Sequence, residues 1–266
     1  MLLLPLLFVF PACAQSAGKP IAARLPQTLE FRNIVAHPHD SKAFTQGLVF
    51  FDGMLYESTG HYGQSSVRQV EIATGNVLQR KDVPREFFAE GLERIGDTFY
   101  LLTWREKRCF LLDRQTLERS GEFSYDGEGW GLCFDGESLI LSDGTAILRF
   151  YDPKTFRLTG KKTVFDGSSV RRGRLVTMLN ELEFVHGEIW ANVWKETRIA
   201  RINPKTGKVI GWIDLSAFVP QGLDPRGEHV LNGIAFDAAT NRVFVTGKNW
   251  PVVYEMTIVT KDEKTP

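Results

Sequence analysis

One short pattern occurs five times in this chain of 266 residues: Gln46-Gly47-Leu48, Glu90-Gly91-Leu92, Trp130-Gly131-Leu132, Asn180-Glu181-Leu182 and Asn232-Gly233-Ile234. Each copy has a variable first residue, then glycine in four of the five, then a branched aliphatic residue. The copies start about 40 to 52 residues apart, close to the repeat length of β-propeller blades. The chain is therefore built from five copies of one unit.

Each copy is followed by a turn and then a short apolar run, which is the pattern of a β-hairpin. In the first unit, for example, Asp52-Gly53 precedes Met54-Leu55-Tyr56. A second hairpin follows within the units, most clearly over residues 71–78 and 202–209. Two hairpins predict four antiparallel strands in each unit.

Four-stranded sheets cannot cover both of their own faces, but five of them packed radially bury a shared core and leave only short edges. The sequence therefore predicts an all-β fold, a five-bladed β-propeller with four antiparallel strands per blade. The fifth unit has room for three strands, so we expect residues 29–35 to supply its missing strand and close the ring. Residues 28–262 contain no linker, and we interpret them as a single propeller domain. A two-sheet sandwich is the structural alternative.

The composition excludes several classes of protein. With 43% hydrophobic and 24% charged residues, the chain can bury a core and is not disordered. Its 32 basic and 32 acidic residues give no net charge, which argues against nucleic acid or another polyanion as a partner. After the leader only Cys109 and Cys133 remain, too few for a disulfide scaffold or a cysteine zinc cluster. Of two alternatives, a disulfide pair or two buried free thiols, we favour the second.

The N-terminal segment has the features of an export signal. Its apolar run ends at Phe10, and Ala12-Cys13-Ala14 has the small residues that signal peptidase accepts. We interpret residues 1–14 as a signal peptide and residues 15–27 as a linker, which places the mature protein in the periplasm or outside the cell. A membrane span needs about 20 apolar residues, so no stable membrane insertion is expected. Acylation of Cys13, giving a lipid-anchored form, is the alternative.

The first residue of each copy is predicted to face the central channel, because the innermost strand of every blade runs along the propeller axis. These residues are Gln46, Glu90, Trp130, Asn180 and Asn232. A purely structural repeat would reuse one small or apolar residue at this position. Here the position is chemically varied and mostly polar while the following Gly-Leu is largely kept, which indicates a functional site.

Further side chains are predicted to join this site. Trp104, Trp194 and Lys248 end the second strand of their units, and Phe44 and Phe88 each lie two residues before a channel position. With the channel residues they predict an aromatic pocket that contains one acid, one amine and several amides. Such a pocket suits a small, partly apolar ligand rather than a polymer.

Glu90 is the candidate for acid–base chemistry. A carboxylate among aromatic side chains such as Phe88 and Trp104 would lose hydration, which raises its pKa toward neutrality, as a general acid or base requires. The alternative is a salt bridge from Glu90 to Arg94 or Arg105.

Other motifs are interpreted as structural. His37-Pro38-His39 has a spacing that could bind metal, but we interpret both histidines as surface residues and predict no metal site. No serine lies in a nucleophile elbow, which argues against a serine hydrolase. The basic cluster Arg171-Arg172-Gly173-Arg174 is interpreted as a loop over the channel mouth.

At these residues the sequence resembles a known family, the glutaminyl-peptide cyclotransferases (glutaminyl cyclases) of the plant and bacterial type. The similar strings are Phe44-Thr45-Gln46-Gly47-Leu48, Tyr56-Glu57-Ser58-Thr59-Gly60, Glu90-Gly91-Leu92, Leu179-Asn180-Glu181-Leu182-Glu183, Leu231-Asn232-Gly233-Ile234-Ala235 and Val245-Thr246-Gly247-Lys248-Asn249-Trp250-Pro251. They cover nearly the whole mature chain in the family's order. The family's fold is a five-bladed propeller, in agreement with the repeat count.

The resemblance implies an activity and a site. The family converts the N-terminal glutamine of peptides and proteins to pyroglutamate with release of ammonia, without a cofactor or catalytic metal. Its proposed proton shuttle corresponds to Glu90, and its pocket corresponds to Phe44, Gln46, Phe88, Trp104, Trp130, Asn180, Trp194 and Lys248. We add Asn232 to the substrate-binding residues because of its place in the repeat. Ala89 departs from the family, in which a glycine commonly precedes the glutamate.

The expected chemistry is ring closure by the substrate's own α-amine. Indole or amide donors such as Trp104, Gln46 and Asn180, with Lys248 nearby, are expected to hold the γ-carbonyl oxygen as it gains charge. We expect the enzyme to act as a monomer.

Two other functions remain open on the residues alone. One is a metal-dependent, lactonase-like propeller hydrolase in which Glu90, Asn180 and Asn232 hold a divalent cation. The other is an exported propeller that binds peptides or sugars without any reaction.

Overall fold

The computed structural model describes residues 29–259, which form five four-stranded antiparallel sheets in a ring. The predicted all-β, five-bladed propeller is therefore confirmed. The predicted signal peptide (residues 1–14), the linker (15–27) and the last residues of the predicted domain (260–262) lie outside the described residues.

Each blade runs from an inner strand at the axis to an outer edge strand. Before the first blade comes β1 (Glu30–Pro38). Blade 1 comprises β2 (Thr45–Phe51), β3 (Met54–Thr59), β4 (Ser66–Glu71) and β5 (Val77–Asp82). Blade 2 comprises β6 (Ala89–Ile95), β7 (Thr98–Thr103), β8 (Arg108–Asp113) and β9 (Arg119–Ser124). Blade 3 comprises β10 (Leu132–Phe134), β11 (Leu139–Leu141), β12 (Ile147–Tyr151) and β13 (Leu158–Thr163).

The second half of the chain repeats this plan after a small insertion. The insertion is a two-stranded ribbon of β14 (Phe165–Asp166) and β15 (Arg174–Leu175). Blade 4 comprises β16 (Leu179–Val185), β17 (Glu188–Val193), β18 (Arg198–Ile202) and β19 (Val209–Asp214), followed by a 3-10 turn at Ser216–Phe218. Blade 5 contains β20 (Leu231–Asp237), β21 (Arg242–Gly247) and β22 (Val252–Val259).

The fourth strand of blade 5 comes from the other end of the chain. The sheet order is β20-β21-β22-β1, and β1 pairs antiparallel with β22 from Glu30 opposite Val259 to Pro38 opposite Val252. The predicted closing strand is therefore confirmed, and the first and last blades are joined by one ladder of backbone hydrogen bonds.

Hydrophobic side chains fill the space between neighbouring blades. Five clusters of buried residues lie one at each blade interface, and each draws on two blades. Trp190 of blade 4 and Trp250 of blade 5, for instance, are fully buried in the same cluster. This division follows from the sheet geometry, because a blade can bury both faces only against its two neighbours.

Glycine in the repeated pattern permits the close approach of the inner strands. A Cβ atom added at Gly47 of blade 1 would lie 2.4 Å from the backbone nitrogen of Leu92 in blade 2. A Cβ atom added at Gly131 of blade 3 would lie 2.0 Å from the carbonyl oxygen of Asn180 in blade 4. Neither distance is possible for a real side chain, so these positions require glycine.

Blade 4 departs from the pattern because Glu181 replaces the glycine. The Glu181 side chain reaches out of its own blade, and its Oε2 accepts a hydrogen bond of 2.9 Å from the backbone N–H of Ile234 in blade 5. Burial raises the pKa of this carboxyl well above its ordinary value. Glu181 therefore links two inner strands by a side chain where the other blades use direct backbone contact.

The residue before the glycine is directed by an irregularity in the inner strand. The pairing register shifts at Thr45/Gly47, Ala89/Leu92, Leu179/Leu182 and Leu231/Ile234, in the inner strands of blades 1, 2, 4 and 5. A β-bulge of this kind bends the strand and re-aims the extra side chain. The four extra residues are Gln46, Glu90, Asn180 and Asn232.

The prediction that His37 and His39 are both surface residues is wrong for His39, whose side chain is only 3% exposed. His39 lies where the chain passes from β1 into blade 1. Its Nδ1 is 2.7 Å from the carbonyl oxygen of Trp250, and its Nε2 is 3.1 Å from Oε1 of Glu57. An imidazole that donates to both acceptors carries two protons, so His39 and Glu57 form a buried ion pair at the ring closure. His37 pairs with Glu255 at 2.9 Å and is partly exposed.

Two smaller findings complete the description. Cys109 and Cys133 are buried free thiols, and burial raises the pKa of both. Among residues 29–259 there is no helix with the length and apolar character of a membrane span.

The glycine requirement predicts that Gly131→Ala destabilises the propeller. The new methyl group would overlap the Asn180 backbone, which forces blades 3 and 4 apart at a cost of about 1–3 kcal/mol or more in the free energy of unfolding. Denaturant titration followed by tryptophan fluorescence measures this change. Gly160→Ala is the matched control, because its nearest atom would be 4.0 Å away. Equal stability of the two variants would contradict the account.

The His39–Glu57 pair predicts a pH-dependent contribution to stability. Burial lowers the pKa of His39, but the Glu57 carboxylate and the Trp250 carbonyl raise it, and the net pKa is above the ordinary value. For a group with a raised folded pKa, the stabilisation is fully present below the unfolded pKa of about 6.5 and is lost as the pH rises through the folded pKa. His39→Gln should therefore cost more unfolding free energy at about pH 6 than at about pH 9. A difference between wild type and variant that stays constant with pH would refute the ion pair.

Candidate active site

A cavity of about 430 Å³ opens at the end of the channel where the inner strands begin. Its lining is contributed by all five blades and the loops beside them: Phe44, Gln46, His61, Phe88, Glu90, Trp104, Arg105, Glu128, Trp130, Asn180, Trp194 and Lys248. The size of the cavity suits an amino-acid side chain with its backbone rather than a folded polymer.

The structure brings together nine of the ten predicted site residues. They are Phe44, Gln46, Phe88, Glu90, Trp104, Trp130, Asn180, Trp194 and Lys248. Asn232 is not among the residues that line the cavity. Its Nδ2 donates to the backbone oxygen of Thr45 at 2.9 Å and to Oε1 of Gln46 at 3.4 Å, so it joins blade 5 to blade 1.

Aromatic rings form the walls of the cavity. The Phe88 ring lies 5.5 Å from Trp104 and 6.4 Å from Phe44, measured between centroids, and meets Phe44 edge to face. Across the cavity Trp130 and Trp194 pack edge to face at 6.0 Å. Offset and edge-to-face contacts of this kind fix ring orientations. The walls are therefore apolar surfaces of defined shape.

Glu90 is buried at the bottom of these walls. Its side chain forms no hydrogen bond or salt bridge within residues 29–259, although its backbone oxygen accepts a 2.5 Å bond from the Ser58 hydroxyl. Burial raises the pKa of the Glu90 carboxyl well above its ordinary value, and the charge of Lys248 opposes part of this shift. A raised pKa brings a carboxyl group closer to the range in which it can serve as a general acid as well as a general base.

The salt-bridge alternative for Glu90 is wrong, because both candidate arginines bind elsewhere. The Arg94 guanidinium lies 3.8 Å from the centre of the Phe51 ring. Arg105 lies over the ring of Trp104, also at 3.8 Å, and pairs with Glu128.

Lys248 places a buried amino group in the lining of the cavity. Its Nζ lies 4.6 Å from the centre of the Phe44 ring, and only 6% of the residue is exposed. Burial lowers the pKa of Lys248 to about 8, while the carboxylate of Glu90 raises it. No salt bridge joins the two groups in the described part of the chain, so each acts on the other through space.

Two carboxamides complete the polar part of the site. Oδ1 of Asn180 is buried and has no hydrogen-bond partner within residues 29–259. Gln46 accepts from Asn232 through Oε1, and this bond leaves the NH₂ group of Gln46 as the donor for the cavity. An unpaired polar atom is costly to bury, so we interpret the Asn180 amide as a ligand-binding group, and Gln46 supplies a second amide of the lining.

Three lining residues were missed by the sequence analysis: His61, Arg105 and Glu128. For Glu128 a signal was present. Phe44 and Phe88 lie two residues before the channel positions of blades 1 and 2, and Glu128 lies two residues before Trp130 in blade 3. Applying the same two-residue offset to the third blade therefore identifies Glu128. His61 lies in a loop after β3, against Phe44 at 4.1 Å, and no repeat marks it.

The expectation that Trp104 is a hydrogen-bond donor to a ligand is wrong. Its Nε1 donates to Oε2 of Glu128 at 2.7 Å, and Nε1 of Trp130 donates to the same oxygen at 3.0 Å. Both of these indole N–H groups are therefore occupied, and the donors that we assign to a developing negative charge are Gln46, Asn180 and Lys248.

The arrangement proposed for the lactonase alternative does not form. It requires Glu90, Asn180 and Asn232 to face one cation, but Asn232 lies outside the cavity lining, with its amide bound to blade 1. Within residues 29–259 no three histidine, cysteine, aspartate or glutamate side chains are grouped as metal ligands.

Comparisons with known proteins agree with this geometry. The family model for glutamine cyclotransferase matches residues 6–258. A glutaminyl-peptide cyclotransferase of Arabidopsis thaliana is 42% identical over 253 residues, which is 93% of this chain and 77% of the relative. The crystal structure of Myxococcus xanthus glutaminyl cyclase superposes with a TM-score of 0.78 at 38% identity, covering 87% of this chain and 97% of that one.

The charge of Lys248 near Glu90 predicts a change in the pKa of Glu90 when that charge is removed. Lys248→Met removes the positive charge that lowers the pKa of Glu90, so this pKa should rise further. NMR of side-chain ¹³C-labelled glutamate, with Glu90→Gln to assign the resonance, measures it. Lys195→Met is the control. Lys195 lies over the ring of Trp194, and its charge is not among those that shift the pKa of Glu90. An unchanged titration of Glu90 in Lys248→Met would show that the two groups are not coupled.

Proposed function

The chain belongs to the glutamine cyclotransferase family, and we propose that its cavity converts the N-terminal glutamine of peptides and proteins to pyroglutamate with Glu90 as the proton shuttle. The observation that carries the catalytic role is the isolation of Glu90, a buried carboxyl with a raised pKa and no protein partner for its side chain in the described residues. A group in this state is costly to the fold, which supports a role in a reaction.

The substrate contains both reactants. The α-amine of an N-terminal glutamine attacks the carbon of its own γ-carboxamide, a bond forms between that nitrogen and that carbon, and the bond to the amide nitrogen breaks. One proton leaves the attacking nitrogen and one joins the departing nitrogen, so the products are the five-membered lactam and ammonia. The enzyme must hold the side chain in the ring-closing conformation and move one proton, because the reaction is intramolecular.

Glu90 moves that proton in the proposed mechanism. The α-amine has an ordinary pKa of about 7.7 to 8.0, so its neutral, nucleophilic form is accessible near neutral pH. As the new bond forms, the nitrogen becomes acidic and the Glu90 carboxylate accepts its proton. The protonated Glu90 then donates to the departing amide nitrogen and returns to the carboxylate. Its raised pKa supports the second step, since a carboxyl group that holds its proton more firmly than usual is a better match for proton exchange with an amine.

The amides and Lys248 stabilise the charge on the γ-carbonyl oxygen. In the tetrahedral intermediate this oxygen becomes negative, and the NH₂ groups of Gln46 and Asn180 are the neutral donors of the cavity lining. Lys248 adds positive charge from the side of Phe44. The unpartnered Oδ1 of Asn180 is suited to accept a hydrogen bond from the substrate's amide or amine.

The aromatic walls select the substrate's shape. Phe88, Trp104 and Trp130 surround the methylene groups of the glutamine side chain and exclude water from the reacting atoms. The remainder of the bound peptide or protein chain extends out of the cavity mouth into solvent. Peptides and whole proteins can therefore both be accepted.

The cellular setting is part of the same proposal. Residues 1–14 are removed as a signal peptide, residues 15–27 form a linker, and residues 28–262 are the catalytic domain in the periplasm or outside the cell. The apolar run that ends at Phe10 and the Ala12-Cys13-Ala14 sequence support export. The enzyme acts as a monomer in this proposal, and size-exclusion chromatography with light scattering tests this. N-terminal sequencing of the exported protein tests the processing site.

The role of Glu90 predicts that Glu90→Ala and Glu90→Gln each lower kcat by about 10²–10⁴-fold, because neither side chain can carry a proton between the two nitrogens. Ammonia release from a glutamine-initiated peptide and the matching loss of mass measure turnover. Glu93→Gln is the matched control, a partly buried glutamate on the same strand that does not line the cavity. Near-normal turnover of either Glu90 variant would remove Glu90 from the mechanism.

A further inference from the structure

We propose that Glu128 is a positioning residue for the reaction, which holds the indoles of Trp104 and Trp130 in the one arrangement that forms the substrate pocket. This inference rests on the proposed function, since it concerns the same cavity. Glu128 was not among the site residues that the sequence analysis listed, although the repeat offset of Phe44 and Phe88 applies to it as well.

A single oxygen atom of Glu128 joins two walls of the cavity. Its Oε2 accepts from Nε1 of Trp104 at 2.7 Å and from Nε1 of Trp130 at 3.0 Å. Trp104 follows β7 of blade 2, whereas Trp130 precedes β10 of blade 3. The carboxylate therefore sets the position of one indole relative to the other across the boundary between two blades.

The Glu128 carboxylate is itself held by an arginine. Nε of Arg105 lies 3.3 Å from Oε1, and the Arg105 guanidinium lies over the Trp104 ring, 3.8 Å from its centre. The backbone oxygen of Glu128 accepts a 2.6 Å bond from Arg149, which is also paired with Asp143 at 2.9 Å. These contacts anchor both the backbone and the side chain of Glu128.

A solvated rim charge is the ordinary interpretation of a glutamate whose side chain is 39% exposed. Two features distinguish Glu128 from such a charge. Both indole N–H groups point to the same oxygen, and charge-assisted bonds of this kind are roughly twice as strong as neutral ones. Burial raises the pKa of Glu128, but the indole bonds and Arg105 lower it below its ordinary value, so it stays ionised.

The arrangement has two consequences for the reaction. The indole N–H groups are occupied, so the substrate meets ring faces alone at these two walls. The negative charge of Glu128 also raises the pKa of Glu90, as does that of Glu106. Glu106 differs from Glu128 in its partners. Its Oε1 accepts from the hydroxyl of Tyr62 at 2.7 Å, its Oε2 lies 3.4 Å from the backbone N–H of Phe88, and it binds neither indole.

This difference makes Glu106→Gln the matched control for Glu128→Gln and Glu128→Ala. We expect Glu128→Ala to lower kcat/KM by about 10- to 100-fold, mainly through a higher KM, because misplaced walls no longer hold the side chain in the ring-closing conformation. Glu128→Gln keeps one acceptor oxygen and should fall between wild type and Glu128→Ala. Glu106→Gln should keep the wild-type KM. Both glutamine variants should move the acid limb of the pH–rate profile to lower pH, since each removes a charge that raises the pKa of Glu90.

Near-ultraviolet circular dichroism of the free enzymes supplies a readout without substrate. The tryptophan signal should change in Glu128→Ala and stay unchanged in Glu106→Gln. A wild-type KM together with a wild-type tryptophan signal in Glu128→Ala would overturn the proposal. Should Glu128→Ala fail to fold, Glu128→Gln carries the same test. Failure of the wild-type enzyme to release ammonia would refute the proposed function instead, and the dichroism comparison would still decide whether Glu128 positions the indoles.

Discussion

Contact between the inner strands around the axis is the constraint on which the rest of the structure depends. At Gly47 and Gly131 the backbone of one blade lies where a side chain would otherwise be, so five blades fit around one narrow channel. In blades 1, 2, 4 and 5 the pairing of the inner strand is irregular at this position, and the irregularity directs the preceding residue into the channel. Scaffold and site are thus adjacent in the sequence for a physical reason. The glycine allows neighbouring inner strands to approach closely, and the residue before it lies at the channel.

The site contains an acid and an amine whose surroundings disfavour the charged form that each ordinarily has at neutral pH. Burial favours the neutral form of both Glu90 and Lys248, and their mutual attraction opposes this only in part. A carboxyl and an amine that are buried without a salt bridge would be poor choices for stability alone. The opposite solution appears at His39 and Glu57, where a direct contact of 3.1 Å satisfies both groups at the ring closure. The His39–Glu57 pair is thus a structural ion pair, whereas Glu90 and Lys248 are the two groups to which we assign the proposed reaction.

The repeat made much of this predictable. Five spaced copies of one pattern determine the blade number, and the short fifth unit implies a closing strand from the N-terminus, as β1 provides. The repeat register also placed nine residues in one cavity. The failures share a cause, because position in a repeat locates a residue without naming its hydrogen-bond partner. Asn232 has the right register but binds blade 1, and Trp104 has the right place but donates to Glu128. His39 is buried through contacts with distant segments, which no local pattern encodes.

The central claim is that Glu90 faces the two nitrogens between which a proton must move. A crystal structure of the Glu90→Gln variant with a glutamine-initiated peptide tests it most directly. The account predicts that the glutamine side chain lies between the aromatic walls, with its α-nitrogen and its γ-amide nitrogen each within about 2.6–3.2 Å of the carboxamide at position 90, or one water away. A peptide whose N-terminus lies outside the cavity, or whose reacting nitrogens are out of reach of position 90, would contradict the account.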